Sequence, residues 1–218
     1  MSEVLGHSGS LPQSTIFQIS GLGMSDGFRG TIQHDFDLLT MLRVRDPICY
    51  GGALRDFDNG HQPRDYDFIG GLPSDVGFVH GVCRIVGRLS GELADKQITT
   101  VTNPVTQTAH LLFNHMGRKI DLRLVSGQVP SVETMAGYGS IGLCSIAADQ
   151  DRKFYASPRY LDDKAEKTLT IRSGLDTGEY ERAVQRVNAL QKRYPDFRAV
   201  LGRPVSVRGA VVSELSYS

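Results

Sequence analysis

Residues 50–70, YGGALRDFDNGHQPRDYDFIG, constrain this chain more than any other stretch. Adjacent glycines pack nothing and lose the most conformational freedom on folding. Carboxylates two residues apart repel one another unless a neighbouring charge compensates them. Neither suits a plain apolar core, so the segment calls for a turn that leads into a strand with one charged face. Ile48-Cys49-Tyr50 reads as a short buried strand entering the glycine pair. Residues 53–57 then read as a helical turn ended by Asn59-Gly60, and residues 66–69 as a second strand.

The flanking periodicities extend this pattern. Over residues 27–45, Phe28, Ile32, Phe36, Leu39 and Leu42 fall on one helical face, which Asp46-Pro47 terminates. Pro73-Ser74-Asp75 is read as opening another helix, with Val76, Val79, Val82/Cys83, Val86 and Leu89 as its apolar face. Strands are predicted over 98–101, 108–113 and 119–125, the last two joined by a turn at residues 115–118, with weaker ones over 141–147 and 154–155. Helices follow over 161–168 and 176–194, and the stretch from Arg203 is ambiguous. The fold class is α/β (α+β): a mixed sheet with helices packed on it, followed by a short, basic, mainly helical end. The first 24 residues read as a tail with a short ordered piece at 16–19.

Composition excludes several classes. With 218 residues, 40% hydrophobic and 22% charged, the chain is long enough to bury one large domain or two small ones. Its net charge of zero argues against a nonspecific nucleic-acid coat. Residues 1–150 carry 11 basic against 15 acidic side chains, and residues 151–218 carry 13 against 9. Cys49, Cys83 and Cys144 are scattered among apolar neighbours and predict buried free thiols in a reducing compartment. No basic segment followed by an apolar run opens the chain, so a cytoplasmic protein without membrane attachment is expected. The histidines form no metal-ligand spacing.

Asp65 and Asp67 lie two apart in a strand pattern, so both point to one face with Cα atoms about 7 Å apart. Two carboxylates there suit hard divalent cations such as Mg²⁺ or Mn²⁺. Asp121, alternating with Ile120 and Leu122 in a later strand, is the third acid that would complete a trio for two-metal phosphoryl chemistry. Gly51 and Gly52 let phosphate oxygens approach backbone N–H groups at a helix start, and Arg55 stands one turn further on. A glycine pair alone is commonly just a turn, and an isolated Asp-x-Asp is commonly a solvated loop. Their order carries the information: strand, glycine pair, then Asp-x-Asp on the next strand.

With Gly51, Gly52, Arg55, Asp56, Gly60, Asp65 and Asp67 in register, the segment resembles the nucleotidyltransferase head domain shared by class II CCA-adding enzymes and bacterial poly(A) polymerases. The resemblance implies a DNA polymerase β-type fold with an NTP, ATP or CTP, as donor. It implies that Asp65, Asp67 and Asp121 are the catalytic metal ligands. It also implies that Gly51, Gly52 and Arg55 handle the triphosphate, with Asp56 and Arg64 in support. Residues 25–150 would form the catalytic domain and 151–218 the C-terminal region. Downstream the pattern departs from the family. Where the family carries Arg-Asp-Phe-Thr-x-Asn-Ala, Gly139, Ser140 and Cys144 take the places of its Arg, Asp and Asn. Pro158, Leu161 and Asp162 or Asp163 are what remain of the next element. On the last helix Arg182 and Arg186 are the nucleotide-binding candidates, set against the plainer reading of a solvated helix face. The implied reaction is transfer of a nucleoside monophosphate to a hydroxyl, with an RNA or tRNA 3′ end as acceptor. A protein or small-molecule acceptor, or an inert nucleotide-binding module, stays open at the level of sequence.

Overall fold

The computed structural model describes residues 16–19, 26–93 and 97–202; the side chains of residues 26–29 and everything from residue 203 onward lie outside that description. Helix α1 spans Asp26–Met41, and Ile32, Phe36, Leu39 and Leu42 are all at most 1% exposed. The expected partner Phe28 falls among the side chains outside the description. The helix ends at Met41 and not at Asp46-Pro47: the chain turns at Arg43, at positive φ, and Asp46, also at positive φ, and Pro47 sit at an irregularity inside the strand that follows. The chain then enters β2 (Arg45–Tyr50), short helix α2 (Gly52–Asp58) and β3 (Asp65–Gly71).

Helix α3 (Phe78–Glu92) starts later than the proline signal indicates, with Gly77 as its N-cap. Its buried face is therefore Gly81, Val82, Ile85 and Leu89. Val76 precedes the helix, and Val79, expected on the core face, is 67% exposed. Cys83, one position past the buried stripe, is exposed as well, so only Cys49 is a buried thiol; Cys144 is half-buried. Strands β4 (Ile98–Asn103), β5 (Thr108–His115) and β6 (Arg118–Val125) follow as a meander.

Helix α4 (Val132–Gly137) leads to a 3₁₀ turn at Gly142–Cys144 in place of the first half of the strand expected over 141–147; only β7 (Ile146–Ala148) is extended. Asp163 explains the turn. Its carboxylate accepts from the N–H groups of Leu143 and Thr170 and from the Thr168 hydroxyl, at 2.8, 3.0 and 2.7 Å. A Cβ at Gly142 would stand 2.5 Å from that carboxylate, so the close approach requires glycine. Asp163, rather than Asp162, is thus the buried acid of this element.

Strand β8 (Phe154–Ala156), helix α5 (Pro158–Glu166), β9 (Thr168–Thr170), helix α6 (Thr177–Gln191) and β10 (Arg198–Val200) complete the fold. Among its described residues, the region expected to be mainly helical therefore holds three short strands beside two helices. The main sheet runs β1-β8-β7-β2-β3-β6-β5-β4, where β1 is Phe17–Ile19, and only β3 and β6 in it are parallel. β8 carries this sheet past residue 150, while β9 and β10 form a separate parallel pair.

Strand alternation decides what each sheet face presents. Tyr66 and Phe68 of β3, with Ile120, Leu122 and Leu124 of β6, are at most 2% exposed and join α1 and α3 in the main core. Phe36 of α1 meets Phe68 edge-on at 5.4 Å between ring centroids. The opposite face is covered in part by α4, where Met135 and Ala136 pack on Ile48, Ile69 and Ala147. Beyond that cover the face stays open. Asp65, Asp67 and Asp121 stand there because their neighbours fill the core.

Candidate active site

Asp67 occupies the centre of this open face. It is in register with Asp121 on the parallel strand β6 and with Tyr50 on the antiparallel strand β2. Adjacent strands lie about 4.8 Å apart, so the two carboxylates stand side by side. Asp65 shares the face one pleat away, opposite Lys119, and is exposed. Burial and the charges of Asp65 and Asp121 push Asp67 up to about 6, against the weaker opposing pull of Arg186 and Arg55. His110 approaches Asp121 at 3.6 Å, too far for a hydrogen bond.

The glycine pair borders the acids directly. Gly51 has φ +74° and ψ −120°, a backbone conformation essentially restricted to glycine. A Cβ there would lie 4.0 Å from the Asp67 carboxylate. The Gly51 N–H is engaged by the Ile146 carbonyl at 2.9 Å, so the backbone donors left for a ligand are those of the following helical turn. Replacing Gly51 with alanine is expected to cost roughly 1–3 kcal/mol from backbone strain alone. Gly52→Ala, in ordinary helical geometry, should differ little from wild type, and urea denaturation of the pair separates the two positions.

Arg55 and Asp56 are both buried, and they link α2 to the far wall of the cleft. Asp56 accepts from Arg55 Nε at 2.7 Å and from the Tyr194 hydroxyl at 2.6 Å, and it pairs with Arg193 at 2.9 Å. Arg55 Nη1 also donates to Cys144 Sγ at 3.0 Å, and its guanidinium lies 5.7 Å from the Tyr194 ring centroid. These contacts join residues far apart in sequence, and they hold the segment after α6 against the glycine turn. Asp56, 2% exposed and ringed by partners, thereby orients Arg55.

Between these walls lies a cleft of about 760 Å³. The sheet side contributes Asp65, Asp67 and Asp121, and α2 with its approach contributes Gly51, Gly52, Arg55, Asp56 and Arg64. Helix α6 contributes Glu179, Arg182 and Arg186; Tyr138, Ser140, Cys144, Arg172 and Arg193 come from the segments between and after. All ten sequence-predicted site residues thus border one cavity. Glu179 is committed locally, closing a capping box with Asp176 at the start of α6.

Among the described residues, no three His, Cys, Asp or Glu side chains converge closely enough to hold a metal ion unaided. The carboxylates form an open face instead of a cage. Such a face suits Mg²⁺, which is commonly held by one or two carboxylates together with substrate phosphates.

No family model and no curated protein matches this sequence. Solved structures do. A Thermotoga maritima CCA-adding enzyme complexed with tRNA aligns with a TM-score of 0.57 and 15% identity, over 85% of this chain and 43% of that one. A CCA-adding enzyme with ATP gives 0.56 and 15%, over 85% and 43%. A tRNA-processing enzyme in an apo form gives 0.55 and 14%, over 84% and 46%. The chain shares its fold with part of each of these enzymes. It spans less than half the length of each of these neighbours.

Within this fold, four side chains on or behind the cleft wall are not named as site residues by the sequence. Arg172 follows a three-residue strand whose partner lies about thirty residues on, so no local pattern marks it. Tyr138, 61% exposed at the cleft wall, follows a six-residue helix with no motif of its own. Arg193 reads in the sequence as either a solvated helix-face charge or a contact to nucleotide or RNA, and in the fold it pairs with Asp56. Tyr194 is 1% exposed with its hydroxyl on the same carboxylate. The end of the helical stretch, QKRYPDF, is the available signal, since a tyrosine before proline at a helix end is well placed to turn inward.

Proposed function

We propose that this chain is a metal-dependent nucleotidyltransferase that moves the nucleoside monophosphate of ATP or CTP onto a hydroxyl of an RNA, at a tRNA-like 3′ end, and releases pyrophosphate. The observation that carries this reading is the in-register Asp67–Asp121 pair beside the positive-φ Gly51. The fold, and neighbours solved with ATP and with tRNA, support it. Asp65, Asp67 and Asp121 would hold Mg²⁺ or Mn²⁺, which supplies a lowered pKa for the acceptor hydroxyl and charge stabilisation on the phosphoryl oxygens.

The chain's own groups do the rest. Gly51 leaves space beside Asp67 for a triphosphate, and Arg55, oriented by Asp56, offers a charge-assisted donor on that side. Arg64, Arg182 and Arg186 add positive charge around the same space and offset the negative charge of a bound NTP. Incubation with α-labelled NTPs, Mg²⁺ and either total RNA or total protein tests the reading. Label on RNA is expected; label on protein would change the acceptor, and the absence of both label and pyrophosphate would contradict transfer altogether. Among the described residues no helix is long and apolar enough to cross a membrane.

The raised pKa of Asp67 has a consequence for cation binding. Below about 6 the carboxyl is protonated, so a cation must displace the proton. Mn²⁺ affinity, followed by water proton relaxation, should fall up to roughly tenfold per pH unit below 6 and level off above it. A flat profile between pH 5 and 7 would remove Asp67 from the ligand set.

A further inference from the structure

The main sheet ends on β4, so among the described residues the outer edge of that strand has no strand beside it. Every second residue of an edge strand points its N–H and C=O away from its neighbour, and such a row is a template for another strand. Natural edges are blunted by lysine, proline, bulges or brevity. β4 uses none of these. Its six residues, Ile98–Asn103, carry no charge and no proline, and five of them are β-branched. Its register with β5 runs unbroken from Ile98 opposite Phe113 to Asn103 opposite Thr108, so no bulge twists the edge away. The opposite edge of the sheet, β1, is only three residues long. The lack of charge extends past the strand: residues 97–117 contain no Asp, Glu, Lys or Arg, in a chain where 22% of residues are charged. Val101 stands 60% exposed on this edge, and Val105 in the turn beyond it 91%.

We infer that β4 is an interface between two copies of this chain, which pair edge to edge, antiparallel, about a two-fold axis. An uncharged strand meets its own copy without like-charge repulsion, whereas a charged peptide finds no counter-charge along it. Geometry fixes how the copies face. Residues opposed across strands point to the same side of a sheet. A two-fold axis between antiparallel edges stands perpendicular to the sheet and preserves its sides, so only residues an even number apart can oppose each other. The register that sets Val101 against its own copy, Thr100 against Thr102 and Thr99 against Asn103 meets this condition and covers the exposed valine. Thr99 lies level with Asp67 across the sheet, through Leu112 and Asp121, and so on the same face. Both carboxylate faces then open on one side of the joined sheet, the two copies of Asp67 roughly 30 Å apart at about 4.8 Å per strand. Six paired residues a side make a small interface, so a dissociation constant on the order of 10 μM is expected. The pairing does not depend on the transfer reading.

Sedimentation velocity of the full chain, from about 1 to about 200 μM, reads this pairing. The average mass should climb from 23.9 kDa towards twice that value. Val101→Lys and Val101→Glu, at an exposed position, should each raise the dissociation constant at least about tenfold, because the axis brings like charges together. Mixed in equal amounts the two variants should associate again, since Lys then opposes Glu, and this recovery separates lost pairing from lost folding. Val101→Cys in a Cys83→Ser background should form a covalent dimer on oxidation, because opposed residues of antiparallel strands have Cα atoms about 4.5–5.5 Å apart, within disulfide range. A wild-type chain that stays at 23.9 kDa at the top of that concentration range would overturn the inference. So would an assembly that grows beyond the dimer, or association unchanged in Val101→Lys.

Discussion

Asp67→Asn should lower the proposed nucleotidyl transfer roughly 10³-fold while leaving the fold more stable than wild type at pH 7. The loss follows from removing a charged oxygen at the centre of the carboxylate face, where transition-state charge would be compensated. The gain follows from the same charge. Asp67 is held near 6 in the fold against a reference of 3.8, so the folded chain binds the extra proton between those values. Stability is therefore fully present below about 4 and falls as the pH rises through about 6. Asparagine removes that penalty, worth about 1–2 kcal/mol at pH 7 after allowance for solvent. Urea denaturation at pH 4 and pH 7 reads the difference: the variant gains over wild type at pH 7 and not at pH 4. A destabilised variant at pH 7 would mean that Asp67 serves the fold instead of the site.

The second large effect is structural. Asp56→Ala should lose about 3–5 kcal/mol, because it strands the buried guanidinium of Arg55 and frees Tyr194 and Arg193 together. Asp56→Leu combined with Arg55→Leu removes both buried charges and should recover part of that stability. Transfer should be absent from both variants, since neither presents an oriented Arg55 to the triphosphate. Denaturation curves beside a transfer assay separate the two contributions. If the double variant were as unstable as Asp56→Ala, the stranded charge would not be the cause.

Much of the site was legible because it lies on two short, patterned stretches. Strand alternation assigns Tyr66 and Phe68 inward and Asp65 and Asp67 outward without reference to the rest of the chain. The same alternation in KIDLRLV puts Asp121 on the outward face, and the parallel pairing of β3 with β6 then sets it beside Asp67. What resisted reading depends on long-range contacts. The 3₁₀ turn at Gly142–Cys144 exists because Asp163, twenty residues on, accepts the Leu143 N–H. Apolar composition alone gives a strand there. A helix start at Pro73 puts Val79 and Cys83 in the core, but capping by Gly77 shifts the buried stripe to Gly81, Val82, Ile85 and Leu89. Asp56 looked like an accessory to Arg55. Its contacts with Arg193 and Tyr194, which join the two cleft walls, needed the folded chain to appear.

The central claim is that the carboxylates beside the glycine turn move a nucleotidyl group. It is tested most directly by incubating the chain with α-labelled ATP or CTP, Mg²⁺ and RNA, next to the Asp65→Ala, Asp67→Ala variant. Wild type should release pyrophosphate and label the RNA in step, and the variant should do neither while keeping its folded circular dichroism. Equal labelling by both chains would contradict the account.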